Sequence, residues 1–142
     1  MLDDSISKII FRKIPLTKDG TMEKETIDLR SLLLMIEEKK KMDANLALEY
    51  DCIIEADDIT PLVKVINYAI NYIDNVAENQ QQISLNCSMS GITMGFTAFT
   101  EQPELPPLND QVSMALEPYN AILEQKGESG KYAQLLITFA NN

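Results

Sequence analysis

Two rhythms of apolar and polar residues alternate along this chain, one of period two and one near three and a half, and each change of rhythm marks an element. Ser5 to Ile14 is β-branched and predicts a strand, with Lys18-Asp19-Gly20 as the turn after it. From Ile27 to Asp43 the spacing is helical. Leu29, Leu32, Leu33 and Ile36 form its buried stripe, and Thr26 or Asp28 can cap it. Ala47 to Glu55 alternates, with Leu48, Tyr50, Cys52 and Ile54 on one face. Asp57-Asp58-Ile59-Thr60-Pro61 is a helix start, Thr60 the expected cap and Pro61 the first helical residue. That helix should reach about Glu78.

Strict alternation then returns. Ile83, Leu85, Cys87 and Met89 share a face, as do Ile92, Met94, Phe96 and Ala98, with a turn at Ser90-Gly91, so a hairpin is expected. Pro103, Pro106 and Pro107 break the pattern between Glu101 and Leu108. Asp110 to Lys126 reads as a third helix, in which Pro118 should set a kink or a second start. Gly127-Glu128-Ser129-Gly130 turns into a last strand with Ala133, Leu135, Ile137 and Phe139 inward.

Strands with one apolar face and three amphipathic helices predict an α+β fold. The expected architecture is a two-layer α/β sandwich, a mixed, mostly antiparallel sheet with three helices on one face. The 142 residues suit one domain, with no internal repeat and no linker long enough to divide it.

Composition narrows the function. A net charge of −10 and a pI near 4.4 argue against nucleic acid and anionic membrane surfaces as partners. Lys39-Lys40-Lys41 ends a predicted helix, where cations suit the dipole. No apolar run approaches the roughly 20 residues of a membrane span, and Leu2-Asp3-Asp4 is no leader, so the cytoplasm is the expected address. The chain has no histidine, which removes the imidazole base, the phosphohistidine and the His metal ligand. Neither kind of glycine-rich phosphate loop is present. Cys52 and Cys87 fall on inward strand positions and read as small core residues in a reducing compartment. Met35, Met42, Met89, Met94 and Met114 are expected to fill gaps in the core.

The chemistry concentrates on the second helix. Asn67, Asn71, Asp74 and Glu78, spaced four, three and four apart, line one helical edge. Such an edge can face water, or it can hold a hydrated Mg²⁺ beside a nucleotide, although hard cations prefer more carboxylates. Tyr68 and Tyr72 flank it and would cover a pocket or meet a partner.

The element order over residues 26–142, and motifs within about 27–74, resemble the ATP-binding domain of sensor histidine kinases, in the GHKL superfamily. Ile27-Asp28-Leu29-Arg30-Ser31-Leu32-Leu33 is similar to the hydrophobic-Asp-Leu-x-x-Leu opening of its first helix. Ala56-Asp57 resembles the usual lead-in to its second, and Ile66-Asn67-Tyr68-Ala69-Ile70-Asn71 resembles its asparagine box. The resemblance implies that Asn71 would bind Mg²⁺, with Asn67 one turn before it, and that Glu101 would stand where an aspartate reads adenine. Residues 27–142 would form the core of this fold, and Ser5–Ile14 an added strand replacing a C-terminal strand that is missing.

Beyond the asparagines the chain departs from the family. Pro103 and Leu105 stand where it has glycines that let backbone approach the nucleotide. Asn109-Asp110-Gln111-Val112-Ser113, at the phosphate position, has no glycine, and Glu104 and Asp110 add negative charge. The expectation is therefore a degenerate, non-catalytic member with no cofactor. It would be an adaptor, inhibitor or oligomerisation unit in bacterial signalling, meeting a response-regulator receiver, a kinase or a second copy of itself. The alternatives are a divergent Mg-ATP-binding protein or serine kinase of the anti-sigma-factor type, and an unrelated domain binding a small ligand beside the asparagine helix.

Overall fold

Asp28 decides where the first helix begins. In the computed structural model, which describes residues 11–13, 25–41 and 43–140, its carboxylate accepts hydrogen bonds from Arg30 N (3.1 Å) and Ser31 N (3.4 Å). The first-turn amides of a helix have no partner of their own, so this cap stabilises α1 (Leu29–Lys40). Asp28→Ala should lower the unfolding free energy by about 1 kcal/mol in chemical denaturation. The helix is shorter than the expected Ile27–Asp43. Ile27 and Asp28 belong to a strand, and Lys41 stops the helix in a left-handed conformation at φ 54°.

That strand, β2 (Glu25–Asp28), pairs antiparallel with β1 (Phe11–Lys13) and with β4 (Ile53–Ala56) in a three-stranded sheet. The remainder of the expected Ser5–Ile14 strand, the turn at Lys18-Asp19-Gly20 and Met42 lie outside the described residues. The single strand expected over Ala47–Glu55 is two. β3 (Asn45–Leu48) joins a different sheet from β4, and Asp51 at φ 62° makes the bend between them. Tyr50, expected inward, is 71% exposed on that bend.

α2 (Thr60–Val76) starts as expected, with Pro61 in its first turn, where a missing N–H costs nothing. Its cap differs: Ile59, not Thr60, stands at the cap position and makes no side-chain cap bond, while just before it Asp58 Oδ1 accepts from Thr60 N at 2.9 Å. The expected hairpin forms from β5 (Gln82–Ser88) and β6 (Gly91–Phe99) with Leu85 opposite Met94, but its turn is Met89-Ser90, one residue before the expected Ser90-Gly91. Its turn end runs past the core, so Met89 is 94% exposed and Cys87 is exposed as well.

The stretch Asp110–Lys126 is not one helix. α3 (Gln111–Leu116) gives way at Pro118 to a 3₁₀ turn over Glu117–Tyr119, and Asn120 at φ 53° reverses the chain into β7 (Ala121–Glu128). β7 pairs with the last strand, β8 (Tyr132–Ala140), so the second C-terminal strand is present after all. Met114, on the short helix, is 69% exposed.

The larger sheet has the order β3-β5-β6-β8-β7, parallel at β3–β5 and antiparallel elsewhere. Ile83, Leu85, Met94, Phe96, Leu135 and Ile137 are buried on one face against Leu32, Leu33, Ile66, Ile70 and Ile73 of the first two helices. Its other face is wetter, and Gln134 Nε2 donates to Thr97 Oγ1 there at 3.0 Å. The fold is α+β, with a mixed, mostly antiparallel sheet and, among the described residues, three α-helices on one face.

Candidate functional site

α2 presents two polar edges. The first carries the asparagines. Asn67 turns its amide back on its own helix, donating to Val63 O at 3.1 Å. Asn71 is exposed, and its Oδ1 accepts from Lys40 Nζ of α1 at 3.1 Å. Asp74, also exposed, accepts at 2.8 Å from Gln81 Nε2, which donates to Ile70 O as well (3.2 Å). Glu78 lies just past the helix, where its backbone N–H meets Phe99 O at 2.8 Å. Among the described residues no group of three or more Cys, Asp or Glu side chains could hold a metal ion.

The second edge carries Tyr68 and Tyr72, one turn apart with ring centroids at 6.3 Å. Tyr72, buried, donates its hydroxyl to Pro106 O at 2.5 Å and accepts from Gln125 Nε2 of β7. Gln125 Nε2 also lies 3.3 Å from Pro106 O. Tyr68 Oη accepts from Asn109 N at 3.0 Å. One element further, the Tyr119 hydroxyl donates to Asp58 O and accepts from Leu62 N at 3.1 Å.

These contacts trace a strap. Its start is fastened to the β7–β8 turn, where Thr100 N meets Lys131 O at 3.0 Å and Gly130 N meets Gln102 O at 2.8 Å. Glu101 sits there, exposed. The chain then runs antiparallel to α2, meeting Tyr72 at Pro106, Tyr68 at Asn109, and the first turn at Tyr119. Leu105 and Leu108 are half-buried against the core beneath it. The prolines fix the backbone and remove amides that would otherwise need partners.

Burial holds both inner hydroxyls neutral. It pushes the Tyr119 phenol up to about 12, opposed by the Leu62 N–H and reinforced by Asp58. It raises the Tyr72 phenol as well, with Tyr68 adding a smaller push. A proton here completes two hydrogen bonds rather than awaiting transfer.

Asn67, Asn71 and Asp74, expected along one helical edge, fall within α2, whereas Glu78, expected on the same edge, lies past its end. Tyr68 and Tyr72 face the strap on the neighbouring edge. Gln125, Tyr119 and Gln81 were missed. The first two were hidden in the supposed third helix, where Pro118 beside Asn120 was the available signal.

Solved structures share this fold. The histidine kinase AdeS of Acinetobacter baumannii matches with a TM-score of 0.61 at 14% identity, over 91% of this chain and 70% of that one. The histidine kinase domain of the E. coli osmosensor EnvZ matches with a TM-score of 0.64 at 10% identity, over 82% of this chain and 88% of that one. The ATP-binding domain of PrrB from Mycobacterium tuberculosis gives 0.62 at 14% identity, over 84% and 98% respectively. No protein-family model matches the chain, and no curated protein does. Among the described residues no helix is long and apolar enough to cross a membrane. By these likenesses, the chain has the fold of a histidine-kinase ATP-binding domain.

Proposed function

We propose that this chain is a non-catalytic protein-interaction domain of bacterial signalling, built on the histidine-kinase ATP-binding fold after loss of nucleotide binding. The observation that carries this reading is the strap over residues 100–119, fastened along α2 by three tyrosine hydroxyls. A triphosphate needs open backbone N–H groups at a helix start and positive charge nearby. Here the amides are spent: Asn109 N on Tyr68, Gln111 N on Asn109 Oδ1 at 2.9 Å, Val112 N on Asn109 O at 3.1 Å. Pro106 and Pro107 have none to offer, and Glu104 and Asp110 repel phosphate. Asn71, the Mg²⁺ ligand implied by the resemblance, is engaged with a lysine. These residues do not fit Mg-ATP.

What remains outward is a polar edge of Asn71, Asp74 and Glu78 on a chain of net charge −10. Such an edge suits a partner with a basic patch, where complementary charge sets encounter rate and register. A receiver domain or a kinase of the same signalling system is the proposed partner. Mixing the chain with purified receiver and kinase domains from its source organism tests this. A saturable complex weakened at least about tenfold by Asp74→Lys with Glu78→Lys, and no ATP turnover, is the expected result. Mg-dependent ATP hydrolysis or phosphotransfer to serine would overturn it in favour of a divergent kinase.

A further inference from the structure

β3 and β5 run parallel with Leu48 opposite Leu85, and the pairing continues one step past the strand, Glu49 N donating to Leu85 O at 2.9 Å. Glu49 then reaches along β5, its Oε1 accepting from Cys87 N at 2.7 Å. The left-handed Asp51 turns the chain back so that Cys52 enters the core, fully buried, its carbonyl accepting from Leu29 N at 2.9 Å. Its thiol rests 3.8 Å from Tyr50 O. Cys87 follows Ile83 and Leu85 on the inward register of β5, so it projects from the same side of the sheet, at the rim where the core ends. The Cys87 thiol is near enough to reinforce the burial that pushes the Cys52 thiol up to about 11.

We propose that Cys52 and Cys87 form a redox-modification site, which a small-molecule disulfide such as oxidised glutathione closes into an intramolecular disulfide. The exposed Cys87 thiolate attacks one glutathione sulfur, forming a mixed disulfide and expelling one glutathione thiolate. Cys52, shielded from bulk reagents, gives its proton to solvent and attacks the Cys87 sulfur, expelling the second. Two protein thiols are oxidised and one small disulfide is reduced to two thiols. The bridge pins the β3–β4 bend to the end of β5. That bend carries Tyr50, whose ring lies 4.1 Å from the Arg30 guanidinium.

Incubating the full chain with oxidised glutathione, then counting thiols in denaturant and mapping non-reduced peptides, tests this. Both thiols should disappear, a Cys52–Cys87 peptide should appear in monomeric protein, and the melting midpoint should rise by roughly 5–10 °C. The closing step should quicken about tenfold per pH unit below the Cys52 pKa. Cys52→Ala should stop at a glutathione adduct on Cys87. Cys87→Ser, changed at an exposed site and so still folded, should leave Cys52 unreacted until denaturation. Wild-type protein that keeps a free Cys52 beside a glutathionylated Cys87, or that dimerises through Cys87, would overturn the proposal.

Discussion

Tyr119→Phe should lower the unfolding free energy by about 2–3 kcal/mol, a large effect for one oxygen atom. The hydroxyl donates to Asp58 O and accepts from Leu62 N, joining the start of α2 to a residue far along the chain. Leu62 N is a first-turn amide with no intrahelical partner, and its residue is fully buried. Phenylalanine keeps the ring packing but leaves that N–H unsatisfied out of reach of water. Tyr119 is thus a distant cap, made by the turn that replaced the second half of the expected third helix.

The same proton makes stability depend on pH. A phenol near 10 in the unfolded chain and about 12 in the fold binds its proton more tightly when folded. Below pH 10 both states are protonated and this contribution is whole. Between about pH 10 and 12 the unfolded state ionises first, so stability falls by about 2–3 kcal/mol across that window. Denaturation of Tyr119→Phe followed over the same range should show a shallower decline, with the Tyr72 share remaining. A variant as stable as the parent, with an unchanged alkaline profile, would rule out the capping role.

Tyr68→Phe combined with Tyr72→Phe should free the strap while leaving the domain folded. The pair loses the bonds to Pro106 O, Gln125 Nε2 and Asn109 N but keeps both rings. At roughly 1 kcal/mol for each hydrogen bond, local opening becomes easier by about 2–3 kcal/mol. Amide exchange at Asn109 should then quicken about 30- to 100-fold, with much smaller changes in the β6–β8 ladder. Either single variant should give an intermediate rate. Unchanged exchange at Asn109 in the double variant would mean that the half-buried Leu105 and Leu108 alone hold the segment.

The fold class was legible because its largest elements follow one rule each. α2 keeps a helical apolar face over 17 residues, and β5, β6 and β8 alternate strictly over the covered face of the sheet. β7 was not legible. Only Ala121 in it is buried and Leu123 half-buried, so its pattern does not alternate, and Glu124, Gln125 and Lys126 favour helix. Its strand state comes from pairing with β8, a tertiary cause that local propensity cannot report. The split of Ala47–Glu55 was hidden for a different reason. Its alternation is real, but one left-handed residue sends the two halves to different sheets. Cys87 has the inward parity expected of it and is still exposed, since parity does not say where a core ends.

The candidate site was half legible. Spacing put the asparagines and Asp74 at helical intervals on α2 but placed Glu78 on a helix that ends before it, and could not say what the tyrosines meet. A buried phenol requires a partner, and the partners are backbone groups of a proline-rich stretch whose path only the fold determines.

Loss of nucleotide binding follows only if the strap has consumed the amides a triphosphate would need. The most direct test records backbone and Asn side-chain amide resonances while Mg-ATP is added to millimolar concentration. The expected result is that Asn71, Asn109, Gln111 and Val112 stay where they are. Saturable movement of those resonances at micromolar nucleotide, abolished by Asn71→Ala, would contradict it.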